Sequence, residues 1–174
     1  KKHNLNNYNI IVLPEVGTFK YSMKKLNSLK IKNDIKKFLN KNPKNLLLGI
    51  CLGMQLFFDE SLEFGRSKGM GFIKGKVLPL ELKRCKKIPH MNWNTILVEK
   101  RSNMFKQFSK KNFYFVHSFF CKPDDKSQII SKTKHNNFRF CSIVNKNNII
   151  GLQFHPEKSG NEGKNLLKAI NKLI

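Results

Sequence analysis

Long apolar runs are missing from this 174-residue chain. The most apolar stretches, such as Leu46-Leu47-Leu48, are a few residues long, far short of the roughly 20 that a membrane-crossing helix needs. The opening Lys1-Lys2-His3-Asn4 begins no apolar signal segment, so nothing points to secretion or a membrane, and a cytoplasmic protein is expected. Closely spaced cysteines are missing too. Cys51, Cys85, Cys121 and Cys141 form no C-x-x-C pair, so neither a zinc site nor a disulfide framework is expected, and no cofactor is implied. Three of them read as small buried apolar side chains; Cys51 differs by its context. Acidic residues are scarce, 11 against 34 Lys+Arg, which leaves a formal net charge of +23. Arginine is scarce as well: Arg66, Arg84, Arg101 and Arg139 are the only ones, and the lysines are scattered in pairs such as Lys24-Lys25 and Lys110-Lys111. Reading of bases draws on Arg, Asn and Gln gathered on one element that enters a groove. With no such element, the charge reads as a solvated, lysine-rich surface with a raised affinity for anions, not as a specific nucleic-acid site.

What is present suits one globular domain over residues 1–174. Hydrophobic residues make up 40% of the chain, and a chain of this length buries roughly 70% of its unfolded surface without staples. Residues 8–13 form a short β-branched run stopped by Pro14 and read as a buried strand. Met23, Leu26, Ile35, Phe38 and Leu39 recur at roughly helical spacing, giving one amphipathic helix that ends near Lys41. Leu46-Leu47-Leu48 is a second buried strand, and residues 52–63 look helical along Leu52, Leu56 and Phe57. Two strands around a helical segment make a βαβ unit and imply a parallel sheet. Strand-like segments follow at 70–82, 95–100, 113–121, 128–133, 138–144 and 149–154, with a hairpin turn at Lys146-Asn147-Asn148. Leu166, Leu167, Ile170 and Leu173 share one face of a closing helix.

The chemistry gathers at two places. Gly49-Ile50-Cys51-Leu52-Gly53 lies between a buried strand and a helix and has the G-x-nucleophile-x-G form of an elbow. Flanking glycines let the backbone turn sharply, and the N–H groups of the following helix lower a thiol's pKa and hold an oxyanion, Leu52 N–H first among them. Such a thiol needs a base, and the base needs an orienting group. Gln153-Phe154-His155-Pro156-Glu157 supplies an imidazole at a strand end and a carboxylate two residues on.

Residues 49–55 and 154–157 together resemble the class I, or triad, glutamine amidotransferases. Phe57-Phe-Asp-Glu-Ser61, Gly69-Met-Gly-Phe-Ile-Lys-Gly75, Pro89-His-Met-Asn-Trp93, Tyr114-Phe-Val-His-Ser118 and His155-Pro-Glu-Lys-Ser-Gly160 follow in order. They resemble the glutaminase subunits of imidazole glycerol phosphate synthases, enzymes of histidine biosynthesis. The resemblance implies a flavodoxin-like α/β domain with a mixed, mostly parallel central sheet flanked by helices. It implies that Cys51 attacks the carboxamide of glutamine, with His155 as base and acid and Glu157 as its orienter. Leu52, Gly17 and Val16 match the oxyanion and glutamine pocket, Gln55 matches a residue that helps hold glutamine, and Tyr114, His117 and Ser118 match a motif near the site. Met91, Trp93 and Lys158 match positions facing a (βα)8-barrel cyclase, which takes up the ammonia in a heterodimer.

Two departures stand out. The family's Pro-Gly-Val-Gly loop reads Pro14-Glu15-Val16-Gly17 here, and a carboxylate-bearing residue costs freedom where positive φ is needed. Asn92 also stands where glycine is usual. The chain begins about one strand before Pro14, so a further strand and helix are expected upstream. Two other readings keep the fold: a paralogous subunit feeding an amino-sugar or surface-polysaccharide pathway, and a non-catalytic scaffold that stabilises the cyclase.

Overall fold

A computed structural model of the chain describes residues 5, 7–14, 17–81, 87–99 and 103–174. Strand β1 (Ile10–Leu13) leads through helices α1 (Phe19–Ser28) and α2 (Ile31–Lys41) to strand β2 (Leu46–Ile50). The single helix expected here is two. Lys30 takes a left-handed conformation, φ 54°, and breaks the run, while Leu29 and Lys30 N–H groups close the first helix onto Lys25 and Asn27 carbonyls. All five residues of β2 are buried, as its unbroken apolar run requires when both sheet faces are covered.

After β2 comes a single helical turn, α3 (Leu52–Gln55), and then strand β3 (Phe58–Ser61). The longer helix expected over 52–63 does not form because its carbonyls are taken. Met70 N–H donates to Leu56 O, Phe72 and Ile73 N–H to Phe57 O, and Gly71 N–H to Phe58 O. Strands β4 (Ser67–Lys68), β5 (Ile73–Pro79), β6 (His90–Val98), β7 (Asn112–His117), β8 (Phe119–Pro123), β9 (Ile129–His135), β10 (Phe138–Lys146) and β11 (Ile149–Leu152) follow, then helix α4 (Gly160–Asn171).

The strands form a seven-stranded sheet, ordered β1-β2-β11-β10-β9-β6-β7, and a four-stranded one, β4-β3-β5-β8. In the large sheet the parallel pairs are β1–β2 and β2–β11; the other four pairs are antiparallel. The sheet is therefore mixed as expected, but more of its pairs are antiparallel than parallel: the βαβ connection sets β1 and β2 parallel, short turns set β9, β10 and β11 antiparallel, and β6 and β7 extend the antiparallel side. The expected turn at 146–148 joins β10 to β11, with Lys146 opposite Ile149 and Asn147 at φ 53°. The segment expected as one strand over 113–121 is two strands in different sheets, bending at Ser118.

Alternation in β2 explains the layering. Leu47 packs with Phe19, Met23, Leu26, Ile35 and Phe38 on the side of α1 and α2. Leu46, Leu48 and Ile50 face the opposite way, toward Phe113, Phe115, Phe154 and the α4 residues Leu166 and Ile170. Full burial of side chains of this size stabilises by about 1.5–3 kcal/mol each, so both layers hold β2 firmly. Cys121 and Cys141 are buried as expected; Cys85, Glu15, Val16, Leu82 and Lys100 lie outside the described residues. Among the described residues no helix is long and apolar enough to cross a membrane.

Candidate active site

Cys51 stands between the end of β2 and α3 with φ 53° and ψ −106°. Positive φ is uncommon for a residue with a Cβ and is worth roughly 1–3 kcal/mol of strain. The packing around it enforces the turn. A Cβ on Gly53 would lie 1.9 Å from the Leu13 carbonyl oxygen, and one on Gly49 would lie 2.6 Å from the Phe57 ring. Both glycines of the G-x-C-x-G pattern are thus close-approach positions, as the elbow reading requires.

The imidazole arrives from the neighbouring strand. β11 runs parallel to β2 with Leu152 opposite Ile50, and Cys51 N–H donates to Leu152 O at 2.7 Å. Gln153 is level with Cys51 one step on, and His155 follows. A bridge to Tyr114 of β7 fixes the His155 backbone, whose N–H donates to Tyr114 O at 2.9 Å. Ser159 ties the same corner: its hydroxyl donates to His155 O at 2.6 Å and accepts from Tyr114 N–H at 2.9 Å. The His155 ring is buried, and its Nδ1 meets Glu157 Oε1 at 2.7 Å. Glu157 itself reaches solvent, with 49% of its side chain exposed. With Nδ1–H donated to the carboxylate, Nε2 is left with the lone pair that a general base uses.

The resting sulfur is neutral and engaged. Cys51 is 9% exposed, and its thiol donates to Val116 O at 3.7 Å while Gln153 Nε2 donates to Sγ at 3.8 Å. Among the described residues no hydrogen bond joins Sγ to His155. Burial pushes the thiol up to about 11 and the Glu157 charge adds to the rise; the Leu52 N–H, the Gln153 amide and the Lys158 ammonium act the other way. The helix-terminus argument for a depressed pKa therefore fails here, because α3 is one turn long and burial outweighs the local N–H groups. Such a thiol becomes a nucleophile only when its proton is transferred during reaction, and catalytic hydrogen bonds often tighten only in the loaded site.

The remaining candidates divide. Leu52 and Gln55 are buried beside Cys51 on α3, but Gln55 Nε2 is spent on Phe119 O at 3.1 Å. Gly17 has φ 109°, a glycine conformation, in the loop after β1; Val16 is outside the described residues. Tyr114 backs the His155 bridge, and its ring meets Trp93 edge-on at 5.9 Å. Ser118 O accepts from Leu80 N–H at the bend between the sheets. His117 points into a buried cluster: its Nε2 lies 3.0 Å from His90 Nδ1 and its Nδ1 lies 2.8 Å from Phe119 O. Met91 and Trp93 project outward from β6, 59% and 49% exposed, opposite Val116 and Tyr114 of β7. Asn92, between them, accepts Trp93 N–H at its own Oδ1, 2.8 Å away. Lys158 is exposed at the end of the turn that carries Glu157. Sequence reasoning assigned no role to Ser159, Val116, His90 or Gln153, although all four stood inside quoted motifs; a backbone carbonyl such as Val116 O leaves no residue-type signal.

Among known proteins, the family profile for glutamine amidotransferase class-I matches residues 1–171, and the chain belongs to that family. Relatives narrow the placement. The chain is 38% identical over 169 residues, 97% of its length and 83% of the relative, to the imidazole glycerol phosphate synthase subunit HisH of Chlorobaculum tepidum. It is 39% identical over 160 residues, 91% of its length and 75% of the relative, to the same subunit of Aquifex aeolicus. At this identity and coverage the chain is a member of the HisH family of class-I amidotransferases. The fold is shared with a chain in the structure of PurLQS from Thermotoga maritima, TM-score 0.72 at 24% identity, covering 98% of this chain and 82% of that one.

Proposed function

We propose that this chain is the glutaminase subunit of an imidazole glycerol phosphate synthase and uses Cys51, His155 and Glu157 as its triad. The observation that carries the reading is the strained Cys51 backbone at the end of β2, with a buried imidazole just past the end of the adjacent parallel strand β11, its Nδ1 held by Glu157 at 2.7 Å. His155 Nε2 takes the thiol proton as sulfur adds to the glutamine carboxamide carbon. The proton then passes to the leaving nitrogen, which departs as ammonia and leaves a γ-glutamyl thioester on Cys51. Water, deprotonated by the same imidazole, hydrolyses the thioester to glutamate and returns the thiol. Leu52 N–H and the loop at Gly17 are the candidate donors to the oxyanion.

A neutral, hydrogen-bonded resting thiol suits a glutaminase that works only when its partner is docked. The exposed Met91 and Trp93, with Lys158 nearby in sequence to His155, form the face assigned to a (βα)8-barrel cyclase. Ammonia passing within such a heterodimer stays unprotonated, whereas free in neutral water it becomes ammonium.

The test combines this chain with its cyclase and the cyclase's ribonucleotide substrate, and compares product formation from glutamine and from ammonium salt. Cys51→Ala is expected to abolish the glutamine-dependent reaction and leave the ammonium-dependent one intact. Product from ammonium but none from glutamine in the unaltered complex refutes the glutaminase reading.

A further inference from the structure

Gln153 is fully buried, and its side chain has a single hydrogen bond among the described residues, from Nε2 to Cys51 Sγ at 3.8 Å. Its carbonyl oxygen, Oε1, has no partner among the described residues. Its backbone N–H is satisfied separately, by Ser142 O at 2.9 Å. Burying an amide oxygen without a donor is destabilising, and an apolar side chain of the same size would fill the space without that cost. What the amide does here, and an apolar group would not, is present an N–H to the sulfur.

The orientation of the amide follows from the proton count. The thiol has one hydrogen, and Val116 O receives it. Turning the amide over would set Oε1 against the sulfur as a second acceptor for the same hydrogen and would strand the NH2 group instead. Nε2 toward Sγ is the arrangement that gives the sulfur one acceptor and one donor.

From this geometry we propose that Gln153 is a positioning residue for the nucleophile: it holds the sulfur of Cys51 in the thiolate form that appears when the proton leaves. The thiol and the thiolate then have different partners. The thiol favours the Val116 carbonyl, which accepts its hydrogen. Once that hydrogen has gone, the carbonyl repels the negative sulfur, and the Gln153 N–H becomes a charge-assisted donor beside the Leu52 N–H. The inference rests on Cys51 being the reacting thiol, but it concerns sulfur chemistry and is read without glutamine or the cyclase.

The experiment follows alkylation of Cys51 by iodoacetamide across pH, located by mass spectrometry of the intact chain, with Cys51→Ala as the blank for Cys85, Cys121 and Cys141. Urea unfolding is measured on the same samples. Gln153→Met, close in size but without a donor, is expected to raise the alkylation midpoint by about one pH unit. Below both midpoints it then alkylates about tenfold more slowly, while its urea midpoint stays level or rises because the orphaned oxygen is gone. Gln153→Glu, the second variant, raises the alkylation midpoint as well, since a carboxylate beside the sulfur has no hydrogen to donate and repels the thiolate. An unmoved alkylation profile in either variant overturns the proposal and leaves Gln153 as filler, whatever the urea midpoint does. Because glutamine turnover is not read, that failure leaves the glutaminase reading standing, whereas glutamine hydrolysis surviving in Cys51→Ala removes the reading itself.

Discussion

Acid should weaken this fold already as pH falls below about 6.5, and the cause is the pair His90–His117. Their rings meet at 3.0 Å, Nδ1 of His90 to Nε2 of His117, and the chain of contacts ends on an acceptor at each side: Phe119 O at 2.8 Å and Asn94 Oδ1 at 3.3 Å. The Asn94 amide is oriented by its Nδ2, which donates to Lys134 O. Two neutral imidazoles have two N–H groups for three contacts, and the longest contact is the one left without a hydrogen. A third proton would complete the chain, but burial opposes it. Burial, and then the like charge of neighbouring histidines, pushes His90 down to about 4 and His117 to about 3, against an ordinary value of 6.5.

The sign follows from linkage. Each folded-state pKa lies below the unfolded one, so between pH 6.5 and those lower values the unfolded chain binds more protons. Stability is therefore present above 6.5 and lost as pH falls below it. A proton denied to the folded state costs about 1.4 kcal/mol per pH unit; from 6.5 down to pH 5, His117 alone removes about 2 kcal/mol, and His90 adds in the same direction. Against a typical total of about 5–15 kcal/mol, that lowers the thermal midpoint by about 4–8 °C. Urea unfolding at pH 7 and pH 5, followed by circular dichroism, measures the difference. His117→Asn keeps a donor for Phe119 O but removes the titrating ring, and it should shrink the gap between the two pH values by about 2 kcal/mol. The same gap in both proteins refutes the reasoning.

Two further outcomes are expected. Gly53→Ala places a methyl group 1.9 Å from the Leu13 carbonyl oxygen; it should cost more than about 3 kcal/mol, since the contact is with the backbone of a buried residue that cannot swing aside, and a urea midpoint near that of the unaltered protein counts against the elbow packing. Glu157→Gln keeps an acceptor for His155 Nδ1 but removes the charge that steadies an imidazolium. Because Glu157 is half exposed, the fold should be untouched while glutamine turnover falls by about ten- to a hundredfold, and an unchanged kcat removes Glu157 from the triad.

Much of this site was legible in the chain because its signals are local. An unbroken apolar run before Gly49 announces a strand covered on both faces, and Gly49 and Gly53 mark the close approaches that the elbow demands. His155 and Glu157 lie two residues apart, so their pairing is written in one motif. The failures share a cause of another kind. Lys30 carries no sign of the left-handed turn that splits α1 from α2. Apolar spacing over 52–63 suits a helix, but the 69–73 segment takes its carbonyls, and that competition is tertiary. The apolar, strand-like run through 113–121 gives no sign that Ser118 passes the chain from one sheet to the other. The thiol's environment was misjudged for the same reason: the N–H groups of α3 are local, whereas Val116 O and Gln153 reach Cys51 from distant strands.

The two halves of the candidate catalytic pair are moored unequally. Sulfur stands one residue past β2, a strand buried along its whole length and flanked by a parallel neighbour on each side, so its awkward backbone torsion has little room to relax. Imidazole stands three residues beyond the last paired residue of β11, secured by one bridge to Tyr114, by the Ser159 hydroxyl, by the Lys158 N–H and by the half-exposed Glu157 carboxylate. Relative motion of the pair is therefore expected at the histidine end, so a seated glutamine would add most where the side chain hangs on separate contacts past a strand end.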